Sequence, residues 1–187
     1  MTVEEIFGKI ATHMVEGLMF HSQMAEYYQF LGLDGYSQCH EYHFLCESKS
    51  YQKIMIDFIT YFNKLLPSMQ ANDPKVIPNS WYKYVRSDVD MSTKRSSVKT
   101  SLEKWVAWEK DSQNLYQQMY KELINIGEIA AANRVLDLIE DVTGELHSAE
   151  QYLLNKKGTE YDMVDIIEEQ YKRKEDYEIK CRSLFLS

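Results

Sequence analysis

The 187-residue chain reads as an all-α protein: four long helices in a bundle, a long crossover at mid-chain and a shorter helix at the end. Three observations predict this. Apolar residues recur at i, i+3, i+4 spacing almost throughout, and no stretch alternates as a strand would. Glycines number 7 and prolines 3, so little interrupts the helices. All of the prolines, Pro67, Pro74 and Pro78, fall within residues 67–92, the one long segment without periodicity. A segment of that length can carry the chain along a bundle and set the second and third helices parallel.

The first helix is predicted from Val3 to about Leu31, with Ile6, Ile10, Met14, Phe20, Met24, Tyr27 and Leu31 on its apolar stripe. GLDGY at 32–36 breaks it with turn chemistry. The second runs from about Ser37 to Leu66, with Phe44, Tyr51, Ile54, Phe58, Phe62 and Leu65 inward, and Pro67 stops it. WYKYVRSDV, inside the crossover, reads as a short helix. The third spans Thr93 to Ile126, with Gly127 placed to end it. The fourth runs from Glu128 to about Asn155, carrying Ile129, Leu136, Ile139, Val142, Leu146 and Leu153. Gly158 closes it. Thr159 and Asp162 then open a fifth helix reaching about Lys180. Residues 1–158 therefore form the bundle, and 159–187 a C-terminal helix and tail.

The net charge of −8 argues against nucleic acid as a partner, because an acidic surface repels phosphate and no basic tail offsets it. The N-terminus is acidic and amphipathic, without the pattern of a signal peptide. No apolar run reaches the length of a bilayer span. Cys39, Cys46 and Cys181 form no disulfide framework. The expectation is a cytoplasmic protein.

The polar residues on apolar stripes carry the functional reading. On the third helix, Val98, Leu102, Trp105, Tyr116 and Leu123 all lie within about 40° of Glu109. A carboxylate there costs several kcal/mol unless paired, protonated or metal-bound. On the second helix, "HEYHFLCE" (40–47) splits by direction. His40 and Glu47 look inward and His43 sits at the margin. Glu41, Cys39 and Cys46 turn away, and with Tyr42 they form an outward face for subunit contacts. His13 lies inside the first stripe and Glu16 at its edge. Glu140 and Glu145 flank the fourth. Acids or histidines on several helices at once are the pattern of a metal site. A buried Glu109 can equally accept hydrogen bonds from tyrosine hydroxyls or an indole, and both alternatives stay open at this level.

Two stretches carry a family resemblance. "GLDGYSQCHEYH" resembles the turn that Dps proteins, the mini-ferritins of the ferritin-like superfamily, follow with a His-Glu pair. "IGEIAAANRVLDLIEDVTGELHSAEQYLL" resembles their last long helix. The likeness covers about residues 3–157. It implies a ferritin-like bundle, homo-oligomeric assembly and iron as cofactor or cargo. The metal set implied is Glu16, His40, Glu47, Glu109, Glu140 and Glu145, with Tyr27, Tyr51 and Tyr116 able to pass electrons. The chain departs from the family in two ways. In the Dps register anchored on His40, the other ligand positions hold Tyr28, Phe44, Met55 and Ile59. In the pattern with two irons inside one bundle, which needs Glu-x-x-His on two helices, Ser50, Thr143 and Ser148 stand where the imidazole belongs.

Two functions follow as expectations. One is a ferritin-like protein that binds iron, or oxidises and stores it, with ferroxidase activity weak or lost. The other is a non-catalytic helical module that has lost the metal centre and acts by assembly or through a protein partner.

Overall fold

The structure, a computed structural model, describes residues 1–66, 70–77, 79, 81, 89–157, 169, 170 and 172–174. Four long helices form the predicted bundle: α1 (Val3–Leu31), α2 (Asp34–Phe62), α3 (Met91–Asn125) and α4 (Ile129–Lys157). Among the described residues there is no strand, and no helix is long and apolar enough to cross a membrane. Residues 82–88 of the expected short helix, Thr159, Asp162 and Cys181 lie outside the described residues. Within the expected fifth helix, residues 169–170 and 172–174 are helical.

The helix ends follow local chemistry. Thr2 and Glu5 form a reciprocal capping box at the start of α1, satisfying backbone donors that the first turn leaves open. Gly32 ends α1 at φ 76°, a left-handed conformation that glycine adopts without Cβ strain. The turn is tighter than GLDGY predicts, since Gly35 and Tyr36 already belong to α2. At its other end α2 stops at Asn63, itself left-handed at φ 50°. Proline therefore does not set that boundary, and Leu65, expected inward, is 79% exposed. Asp90 caps α3 through Thr93 N–H, and Gly127 follows α3 at φ 82°.

α1 lies along α2, α3 along α4, and α1 also meets α3. Tyr28 bonds Ser101 near one end and His13 bonds Ser112 further down, so α1 and α3 are antiparallel. The crossover thus sets α2 and α3 parallel, as its length predicts. Two apolar clusters fill the bundle. One, near the α1–α2 turn, includes Tyr28, Leu31, Tyr36, Leu102 and Trp105. The other, near the α3–α4 turn, includes Ile6, Phe7, Ile54, Phe58, Leu123 and Val135. The polar residues of interest lie between them.

The face of α4 differs from expectation. Ala131, Ala132, Val135, Leu138, Val142, Leu146 and Ala149 are buried, while Ile129 and Leu136 are exposed. The buried stripe is thus offset around the helix from the expected one, with Ala131, Ala132 and Ala149 on it and Ile129 and Leu136 outside it. Phe44 on α2 is likewise exposed.

The C-terminal segment docks beside the α1–α2 turn. Gln170 donates to Gly32 O at 3.3 Å. The buried Arg173 guanidinium lies 4.1 Å from the Tyr36 ring centre and 3.6 Å from that of Tyr152, a stacking that favours a desolvated cation. Any side chain at Gly35 would collide with the Gln170 carbonyl. Gly35→Ala is therefore expected to cost about 1–3 kcal/mol by overpacking and to loosen this segment first. Faster limited proteolysis there, with the bundle intact, is the expected readout.

Candidate functional site

Between the two apolar clusters every long helix delivers an ionisable side chain to the bundle interior. α1 supplies His21, α2 His40, His43 and Glu47, α3 Glu109, and α4 Glu145. His21 is completely buried. It stands seven residues after Met14 and seven before Tyr28, which puts all three on one face of the helix. That spacing places His21 as well as His13 on the apolar stripe of α1.

The three imidazoles stack. His21 lies 5.2 Å from His40 and 5.1 Å from His43, ring centre to ring centre. The Nδ1 atoms of His21 and His40 share a hydrogen bond of 2.9 Å, so one ring carries its proton there and the other accepts. His21 Nε2 then faces two carboxylates, Glu47 Oε1 at 3.7 Å and Glu109 Oε1 at 3.9 Å. Glu109 is 1% exposed and accepts from the Trp105 indole at 2.7 Å. His43 lies 3.2 Å from Glu145.

These groups divide electrically. Burial raises Glu109 to about 8, and the neighbouring Glu145 adds to the effect. Burial, Glu145 and Glu109 likewise hold Glu47 well above the ordinary carboxylate range. Burial depresses His21 and His40 strongly, reinforced by the other imidazoles. For His43 burial acts downward too, but the Glu145 carboxylate and Cys39 outweigh it and hold the imidazole well above its usual value. The His43 imidazole is the positive group of the cluster: it lies against Glu145 and also acts on Glu47 and Glu109, where burial and the neighbouring acids outweigh it. Within this cluster His21 Nε2, His40 Nε2 and Glu47 Oε2 are among the buried polar atoms without a hydrogen-bond partner. Orphaned buried groups cost free energy and are uncommon.

A cavity of about 380 Å³ opens onto this cluster. Met14, Glu47, Glu109, Ser112, Tyr116 and Glu145 are among the residues that line it. Gly17 of α1 lies directly against the Glu47 carboxylate, which fills the space any Cβ at 17 would take. α1 therefore offers an imidazole here and no acid.

Of the residues singled out from sequence, Glu47, Glu109 and Glu145 share the cavity, and His40 lies behind His21. Glu16 is elsewhere: it accepts from the backbone and side-chain amides of Asn72, tying the crossover to α1. His13 bonds Ser112 and stacks on Trp108 at 4.5 Å. Glu140 is exposed, because the rotated face of α4 turns it outward. Three residues read as marginal or outward lie against this region. His43 is buried, and Tyr42 and Cys46 line the cavity. Among the described residues, no group of three or more His, Cys, Asp or Glu side chains stands ready-arranged around a metal position.

No family model matches the chain, and no curated protein matches it. Solved structures do. A novel open-pore ferritin from the hyperthermophilic archaeon Archaeoglobus fulgidus has TM-score 0.73 and 14% identity, over 90% of this chain and 92% of that one. A closed form of the same ferritin, engineered by site-directed mutagenesis, has TM-score 0.75 and 14% identity, over 92% and 96%. A humanized archaeal ferritin has TM-score 0.68 and 14% identity, over 92% and 93%. The fold is that of the ferritin four-helix bundle.

Proposed function

We propose that this chain is a ferritin-like protein that binds one divalent transition-metal ion, iron(II) in the ferritin context, inside the bundle, with ferroxidase turnover weak or lost. The observation that carries the reading is the orphaned pair His21 Nε2 and Glu47 Oε2, buried beside Glu109. One imidazole and two carboxylates form a mixed nitrogen and oxygen donor set suited to such ions. A bound cation would add positive charge beside both acids and favour their ionised forms. The Glu47 and Glu109 oxygens lie 3.7 and 3.9 Å from His21 Nε2, spacings compatible with donors sharing one ion, since ligands about 2 Å from a metal stand about 3–4 Å apart.

The same residues do not fit two metal ions. α1 contributes no acid, Ser50 stands three residues after Glu47, and Glu145 is engaged by His43. Nothing here provides the second set of bridging and terminal ligands that a two-iron centre needs. The mini-ferritin kinship rests on the two stretches "GLDGYSQCHEYH" and "IGEIAAANRVLDLIEDVTGELHSAEQYLL". Homo-oligomeric assembly, at least a dimer, belongs to the same proposal.

A second reading is supported by the Trp105–Glu109 bond, which satisfies one carboxylate oxygen without metal: a helical module that assembles but binds no ion. Titration with cobalt(II), a coloured stand-in for iron(II), separates the two. One equivalent per chain, with visible bands of a mixed nitrogen and oxygen site, is the expected result. No uptake would leave the second reading. Sedimentation of the purified chain as monomer alone at micromolar concentration would overturn the assembly claim.

A further inference from the structure

The cavity reaches solvent on one side of the bundle. α2 lines that side with Tyr42, Cys46, Lys49 and Ser50, and α4 with Leu138, Asp141, Val142 and Glu145. Close backbone approach concentrates between α1 and α2, α3 and α4, and α1 and α3. α2 and α4 make fewer such approaches, and side chains bridge them instead: Asp57 with Arg134 toward one end, His43 with Glu145 toward the other. The cavity lies between these two bridges.

Along this seam α4 presents Asp137, Asp141 and Glu145 at successive i, i+4 positions, a row on one side of a helix. The row runs inward: Asp137 and Asp141 are exposed and Glu145 is half-buried. Asp137 is paired with Arg134, and Asp141, with Lys53 of α2 near it, is the acid at the cavity mouth. A row of acids alone would mean little on so acidic a surface. Here it ends at an independent feature, the buried and unpartnered Glu47 Oε2 in the same cavity. Lys49 stands on the opposite lip and opposes the attraction.

We infer that divalent cations reach the buried carboxylates through the α2–α4 seam, with Asp141 as the outer attracting charge, Lys49 as the opposing one and Cys46 on the wall of the passage. The inference rests on the single-cation reading of the site. A charge at the mouth acts mainly on the rate of arrival, because attraction there raises the local concentration of the incoming ion. Cys46 marks the wall with a group that can be enlarged chemically.

Stopped-flow cobalt(II) uptake by the full chain tests the route. At low ionic strength Asp141→Asn is expected to slow association about 3- to 10-fold, and Lys49→Gln to speed it. Both effects should shrink at high salt as the charges are screened. The amount of cobalt(II) bound at saturation should not change. N-ethylmaleimide, which adds a bulky group to Cys46, should block uptake by the native chain while leaving similarly treated Cys46→Ser able to bind. Native uptake with unchanged rates in both charge variants, and in the alkylated protein, would overturn the route and leave the site reading intact. No uptake by the native chain would overturn both.

Discussion

Replacing Glu109 by Gln is expected to lower cation affinity at least ~100-fold, beyond the 10–100-fold typical of losing a supporting group around a metal, with the helices unchanged. The Gln side chain has nearly the shape of Glu and keeps a carbonyl that can accept from the Trp105 indole, so the packing around it survives. What it loses is the negative charge and the ligating oxygen. If Glu109 served only as the acceptor for Trp105, Gln would bind as little or as much cobalt(II) as the native chain. Glu109→Ala gives the contrast. It removes the acceptor as well as the charge, orphaning a buried indole N–H at a cost of about 1–3 kcal/mol. Calorimetric titration with cobalt(II) and thermal unfolding of both variants separate the roles. Unchanged affinity in Glu109→Gln would remove the central ligand from the proposal.

The metal-free protein is expected to lose stability as pH rises from about 6.5 toward 8 and beyond, and a bound cation to reverse much of that loss. Glu109, raised to about 8, and Glu47, raised well above its usual range, are neutral in the folded protein at pH values where the unfolded chain has already ionised them. Their stabilising contribution is complete below the ordinary carboxylate range and fades as pH climbs through the folded values. His43, also raised, adds a loss of the same sign. The depressed His21 and His40 act oppositely. Their contribution is full above the ordinary histidine range and falls away only in acid, so they do not mask the alkaline trend. A shift of one pKa unit corresponds to about 1.4 kcal/mol, so the trend should amount to a few kcal/mol. Thermal melting of the chelated protein between pH 6 and 9 checks this. Glu109→Gln should flatten the slope, and saturating cobalt(II) should raise the melting temperature most at the alkaline end, where both carboxylates can ionise onto the metal. A flat profile in the native chain would show that neither acid is held neutral.

Much of the architecture was legible because it depends on local periodicity and end chemistry. The ends of α1 follow from the Thr2–Glu5 capping box and Gly32, both features of a few adjacent residues. The crossover was visible as the segment where helical periodicity fails. Glu109 stood out because its stripe is apolar for several turns on either side, so any helix burying that stripe must bury the acid. Where a boundary depended on competition between neighbouring signals, as at Asn63 and Pro67, the nearer left-handed residue ended the helix first.

The sequence by itself determined that this chain folds as an all-helical bundle with an acid at its centre, because a helix carries its own directional record at 100° per residue. Only the tertiary structure decided which side chains meet that acid. His21 and His43 come from different helices, and their stacking depends on how α1 and α2 rotate against each other. Glu145 reaches the cluster and Glu140 does not, because the buried face of α4 is offset from the stripe its apolar residues predict. Gly17 looked like one residue among many in α1, yet it is the space that holds the Glu47 carboxylate. These outcomes depend on distances between helices remote in sequence, which no single helix encodes.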